Sequence, residues 1–111
     1  PTAAMLRRGV LVAGGSDSDV TPIDALLGMG TALMHSNPSQ RVTPHEALAL
    51  FTINAAKICF EENQKGSIAT GKLADLAILD RSPLDCPPDE VERVRVLETI
   101  VGGRTAFTAA N

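Results

Sequence analysis

Val10-Leu11-Val12-Ala13-Gly14-Gly15-Ser16-Asp17 is the stretch on which the reading of this chain turns. A β-branched, apolar run ends in two glycines, and an acid follows. The run predicts a buried strand over residues 10–13, and the glycines predict a tight turn at its C-terminal end. α/β enzymes present catalytic carboxylates in this way, at the C-terminal ends of their strands. The same spacing also fits an ordinary turn followed by a helix N-cap. Local spacing therefore favours a turn or capping role for Asp17, with a catalytic acid as the alternative.

The composition narrows the alternatives. The 111 residues make one domain or a piece of one, 44% hydrophobic but only 3% aromatic and without Trp or Tyr. Any core is built from Leu, Ile, Val and Ala. A net charge of −3, with scattered basic residues and no aromatics between them, argues against nucleic acid as a partner. No apolar run approaches the roughly 20 residues that span a bilayer, which argues against a membrane. Cys59 reads as a buried small hydrophobe on a helix face and Cys86, before Pro87-Pro88, as an exposed loop thiol. Neither has a histidine beside it in sequence, and the expected compartment is reducing and cytoplasmic. The chain opens at Pro1 without a signal peptide and reaches the strand within a few positions, so the expectation is a segment of a longer protein.

Outward from the strand, residues 14–22 read as a loop. Ile23, Leu26, Leu27, Met29, Leu33 and Met34 recur near helical spacing up to about His35, although Gly28 and Gly30 each cost about 1 kcal/mol of helix propensity. Thr43-Pro44-His45-Glu46 combines a capping hydroxyl, a first-turn proline and a capping-box glutamate. It predicts one continuous helix from Pro44 to about Phe60. After Gln64 the period changes. A glycine-punctuated turn leads into a strand at Ala74–Asp80, a Pro- and Asp-rich connection follows, and Val94–Val101 reads as a second strand. Gly102-Gly103 then supplies a two-residue hairpin turn into Arg104-Thr105-Ala106-Phe107. The predicted core comprises Leu48, Phe51, Ile53, Ile58, Leu76, Ile78, Val96 and Ile100.

Three parts of the chain, in order, resemble the C-terminal end of the metal-dependent amidohydrolase superfamily, in particular its family 3 type. Gly15-Ser16-Asp17-Ser18-Asp19-Val20 is similar to the end of that family's eighth barrel strand. Gln40-Arg41-Val42-Thr43-Pro44-His45-Glu46-Ala47-Leu48, running on to Thr52-Ile53-Asn54-Ala55-Ala56, is similar to the helices that leave the barrel. Lys65-Gly66-Ser67-Ile68-Ala69-Thr70-Gly71-Lys72-Leu73-Ala74-Asp75-Leu76 resembles the opening of its small β-domain, and Asp85 to Arg104 its final strands.

The resemblance implies an α+β fragment: the last β/α part of a (β/α)8 barrel over residues 1–61, and strands of the small amidohydrolase β-sandwich domain over residues 62–111. It also implies a parent hydrolase acting on C–N or ester bonds. Its divalent metal, zinc foremost, would be held mainly by histidines upstream of this chain, where the family carries a His-x-His pair, a bridging Lys or acid and two further histidines. Asp17 would be the general acid/base and a metal contact, while the fragment alone would bind no metal tightly and catalyse nothing. The partners implied are a small-molecule substrate, the rest of the barrel and, for bare strand edges, a second copy of the chain. Substrate-binding residues are not legible.

The remaining polar residues have simpler readings. His45 sits in the first turn of a capped helix and reads as solvated; His35 reads as a cation at a helix C-terminus, with a substrate contact as the lesser alternative. Asp19, two residues on, competes with Asp17 for the catalytic role but lies outside the strand and reads as a loop or cap acid; Ser16 and Ser18 make turn hydrogen bonds, and Arg41 pairs with a carbonyl or acid. Asp75 and Asp80 serve turns and edges, and Gly14-Gly15 lacks the lysine and spacing of a phosphate loop. The alternative to a hydrolase fragment is a β-rich interaction or regulatory module on the same scaffold, for which an acid at the strand end would have no use.

Overall fold

The computed structural model describes residues 1–110, which form a mixed helix and sheet structure. Four helices occupy the first half: α1 (Thr2–Arg7), α2 (Ala25–Leu33), α3 (Pro44–Leu50) and α4 (Ile53–Ile58). Three strands follow, β1 (Leu76–Leu79), β2 (Val96–Val101) and β3 (Arg104–Thr108), in one antiparallel sheet of order β1-β2-β3. Short 3₁₀ helices lie at Pro38–Gln40 and Pro88–Arg93.

The first turn of α3 forms as its sequence dictates. Thr43 Oγ1 accepts from the Glu46 amide at 3.2 Å, and Glu46 Oε2 accepts from the Thr43 amide at 2.7 Å. Two orphan donors at the helix start are thereby satisfied reciprocally. The hairpin also follows its sequence: Gly102 and Gly103 lie at φ 56° and 76°, positive at both central residues as a type I′ turn demands. Asp75 Oδ1 secures that turn from the neighbouring strand by accepting from the Gly102 amide at 2.8 Å. Asp80 Oδ1 accepts from the Arg95 amide at 3.0 Å, and Arg41 Nε donates to the His35 carbonyl at 3.0 Å.

Several expectations are corrected. The predicted strand at residues 10–13 pairs with no other strand among the described residues, and Val10 and Leu11 are about half exposed. A strand is a two-party structure; this segment is fastened instead by the Val10 amide on the Met5 carbonyl and the Gly14 amide on the Leu50 carbonyl. Gly14 and Gly15 do not adopt positive φ, so they are not turn glycines. Residues before the segment, read as a mere lead-in, form α1, whose Ala3 is buried. Asp24 rather than Ile23 begins the next helix: its carboxylate accepts from the Leu26 and Leu27 amides at 2.9 and 3.1 Å.

The continuous helix predicted from Pro44 to Phe60 is two helices. Phe51 and Thr52 interrupt it, with Thr52 at φ −131° and ψ −99°. The break leaves the Leu50 carbonyl outside a helical ladder, and the Gly14 amide takes it at 2.9 Å. Tertiary bonding overrides a strong helical pattern at this point.

The core also lies elsewhere than predicted. Ala3, Met29, Leu33, Val42, Ala47 and Val91 form its buried cluster, so the Pro88–Arg93 turn, read as simple connection, closes the helical half against α2. Among the predicted core residues, Leu48, Phe51, Ile53, Leu76, Val96 and Ile100 are half-buried, while Ile58 and Ile78 are exposed. Leu48, Ile53, Leu76 and Ile78 flank an open apolar groove of about 1070 Å³ between α3–α4 and β1, which keeps water on one side of each. The cysteines exchange their expected roles. Cys59, past the last turn of α4, is exposed, and Cys86 packs half-buried against the core with Sγ 3.8 Å from the Pro83 carbonyl oxygen.

Candidate active site

Asp17 stands at the start of a tight turn, residues 17–20, closed by the Val20 amide on the Asp17 carbonyl at 2.8 Å. Its φ is 51°, in the left-handed region that costs a side-chain-bearing residue about 1–2 kcal/mol and that Asp and Asn tolerate better than most. The residue is exposed. Its carboxylate makes no hydrogen bond or ion pair among the described residues. The capping role that local spacing also allowed falls to Asp24 instead.

The other sequence candidates separate from it. Asp19 and the hydroxyls of Ser16 and Ser18 take no hydrogen bond among the described residues, whereas Thr21 Oγ1 donates to the Ser16 carbonyl and braces the loop. His35 follows α2, and its Nδ1 accepts from the Asn37 amide at 3.1 Å. It acts on the following loop rather than on the helix end, where a cation was expected. His45 is exposed on α3, as read. A recess of about 380 Å³ lies beside the loop, walled in part by Gly14, Ser16, Thr21, Asp24 and His35. Asp17 is not among the residues that wall it.

What holds the segment leading to Asp17 was not legible from spacing. Asn54, in the first turn of α4, donates through Nδ2 to the Val12 carbonyl at 3.0 Å, across 42 residues of sequence. The Phe51 ring fills the space that two glycines leave: a Cβ on Gly14 or on Gly28 would lie 2.4 or 2.3 Å from its Cζ. Gly28, a liability to α2 by propensity, is thus the residue that lets α2 approach this ring.

Lys65 Nζ lies 2.8 Å from Glu61 Oε2; this hydrogen bond, and then the glutamate's charge, raise the lysine above its ordinary value. Among the described residues no three His, Cys, Asp or Glu side chains gather as a metal-binding group. Asp17 alone, without such a group around it, does not fit a metal. No helix among the described residues is long and apolar enough to cross a membrane.

The sequence pattern of the amidohydrolase family matches residues 1–107. The chain belongs to the amidohydrolase family. It is 36% identical over 110 residues to the N-substituted formamide deformylase of Arthrobacter pascens, covering 93% of this chain and 20% of that protein. It is 31% identical over 112 residues to the 5-methylthioadenosine/S-adenosylhomocysteine deaminase of Teredinibacter turnerae, covering 96% of this chain and 25% of that one. The crystal structure of an amidohydrolase from Thermotoga maritima superposes with a TM-score of 0.81 at 29% identity, covering 97% of this chain and 26% of its own. The amidohydrolase chain thus spans about a fifth to a quarter of the length of these relatives.

Proposed function

We propose that this chain is the C-terminal portion of a metal-dependent amidohydrolase that hydrolyses C–N bonds in small molecules, with Asp17 as its general acid/base. Deformylation of an N-substituted formamide and deamination of a purine nucleoside both replace a C–N bond by a C–O bond, and those are the reactions the relatives are named for. One observation carries the residue assignment: Asp17 holds a left-handed φ on an exposed turn with its carboxylate unused, while Asp24 does the capping. Residues 1–61 then form the end of a barrel wall and residues 62–111 part of the small β-domain.

In this reading Asp17 takes a proton from the attacking water as its oxygen bonds to the substrate carbon, and returns it to the leaving nitrogen as the C–N bond breaks. A carboxylate suits both transfers, since its two oxygens accept at neighbouring positions. The divalent metal that the family implies, zinc foremost, would be held by residues outside these 111, with Asp17 as a contact. Within the whole protein the groove between α3–α4 and β1 is covered by the rest of the chain. The isolated 111 residues pair with a second copy through their exposed apolar surface, Phe60 and Ile68 being 89% and 90% exposed.

The decisive experiment is Asp17→Asn in the full-length protein, assayed on N-substituted formamides and on 5-methylthioadenosine. Turnover is expected to fall by roughly 10²–10⁴ with the melting temperature unchanged. Full activity with lost stability would return Asp17 to a structural role.

A further inference from the structure

We propose that Asn54 is a positioning residue for Asp17: its carboxamide, with the free carbonyl at the α3–α4 break, sets the backbone from which the acid projects. The inference rests on the reading of Asp17 as the acid/base. Three contacts converge on residues 12–14: Asn54 Nδ2 on the Val12 carbonyl at 3.0 Å, the Gly14 amide on the Leu50 carbonyl at 2.9 Å, and the Phe51 ring packed where Gly14 has no Cβ. All three come from one short stretch, residues 50–54, around the interruption of the helix. An unbroken helix would place the Leu50 carbonyl in its own ladder, where residue 54 would take it. The break therefore has a use: it frees one acceptor and turns one carboxamide toward the same segment.

Beyond Gly14 the chain has little other support before the acid. A Cβ on Gly15 would meet nothing within 4 Å, and the Ser16 carbonyl is held by the Thr21 hydroxyl alone. Asp17 is thus displayed on a short arm whose base is clamped by residues 50–54. Small displacements of a catalytic group cost large factors in rate, so the clamp bears on turnover although it touches no reacting atom.

The test compares Asn54→Asp and Asn54→Gln in the full-length protein, alone and combined with Asp17→Asn. Aspartate keeps the size of Asn54 but offers no donor to the Val12 carbonyl; glutamine keeps the donor on a longer arm. Hydrogen–deuterium exchange is the readout independent of activity. Asn54→Asp is expected to speed exchange of the Gly14 amide and its neighbours about five- to tenfold, with the amides of α2 and the sheet unchanged and Asn54→Gln partly restoring protection. In turnover, Asn54→Asp lowers kcat with KM little changed, and has no further effect once Asp17 is Asn. Unchanged exchange at Gly14, exchange raised evenly over the whole protein, or kcat losses that multiply in the double variant would each overturn the proposal. Full activity of Asp17→Asn alone would instead remove the acid/base reading, and the exchange experiment would still decide whether Asn54 clamps the segment.

Discussion

Gly28→Ala separates two forces that act in opposite directions at one position. Gly28 lies inside α2 without a positive φ, so helix propensity alone predicts that alanine stabilises the protein by about 1 kcal/mol. The structure predicts the opposite sign. The new Cβ would lie 2.3 Å from Phe51 Cζ, 2.8 Å from Cε1 and 3.1 Å from Cε2, against an ordinary carbon–carbon contact of about 3.5–4.0 Å. The ring tip must therefore retreat by more than 1 Å, and the same tip already fills the space at Gly14, where a Cβ would lie 2.4 Å from Cζ. Overpacking of this kind costs about 1–3 kcal/mol. Against the propensity gain the net is a loss of about 1 kcal/mol, or roughly 4–8 °C in melting temperature for a domain of this size. Phe51→Ala removes the obstacle at its own cost, and in that background Gly28→Ala should become stabilising. Urea or thermal unfolding of the four proteins in this cycle gives the coupling directly. A higher melting temperature for Gly28→Ala in the presence of Phe51 would refute the argument that the glycine is there for the ring.

Three further outcomes are expected. Gly66→Ala should destabilise by about 2–4 kcal/mol in the same assay, because Gly66 combines φ 89° with a Cβ position 2.7 Å from Ala56 Cβ and 3.0 Å from Ile53 Cα; Gly102→Ala, at φ 56° in open space, should lose only the smaller conformational part. The Lys65–Glu61 pair raises the lysine, so its contribution is whole below the ordinary lysine value of 10.5 and disappears as pH rises through the higher folded value. The stability gap between the protein and Glu61→Gln should accordingly be constant near neutrality and close in strong alkali. Finally, the isolated 111-residue chain, dialysed against zinc, should retain no stoichiometric metal and hydrolyse no amide; one tightly held zinc per chain would mean that its own side chains close a site.

Local patterns were legible where the forces that make them are local. The capping box at Thr43 and Glu46, and the paired glycines of the β2–β3 turn, act within four residues, and both stand in the structure as read. The acid at position 17 was legible as a candidate because the apolar run and glycines before it marked the end of a segment. What escaped were features whose cause lies far away in sequence. Helical periodicity runs unbroken through Phe51 and Thr52; only the Gly14 amide, 36 positions before Leu50, shows why the ladder stops. The burial of Val91 was hidden for the same reason, since a valine among prolines and acids looks like linker until α2 is laid beside it. Even Gly14 and Gly28, singled out from the start, were assigned to flexibility and to cost, whereas each serves as space for one ring.

Val91 has a consequence for the order of events during synthesis. It is fully buried in the same cluster as Ala3 and Met29. A ribosome that has delivered α1, α2 and α3 has therefore not yet delivered the residue that completes their shared core. Met29 and Leu33 wait, with apolar surface open, until some sixty further positions have emerged. Contacts of such long sequence separation slow closure and prolong the exposure of sticky surface. The nascent chain is most vulnerable to aggregation in that interval, and a substitution at Val91 would lengthen it without touching any residue of the helices themselves.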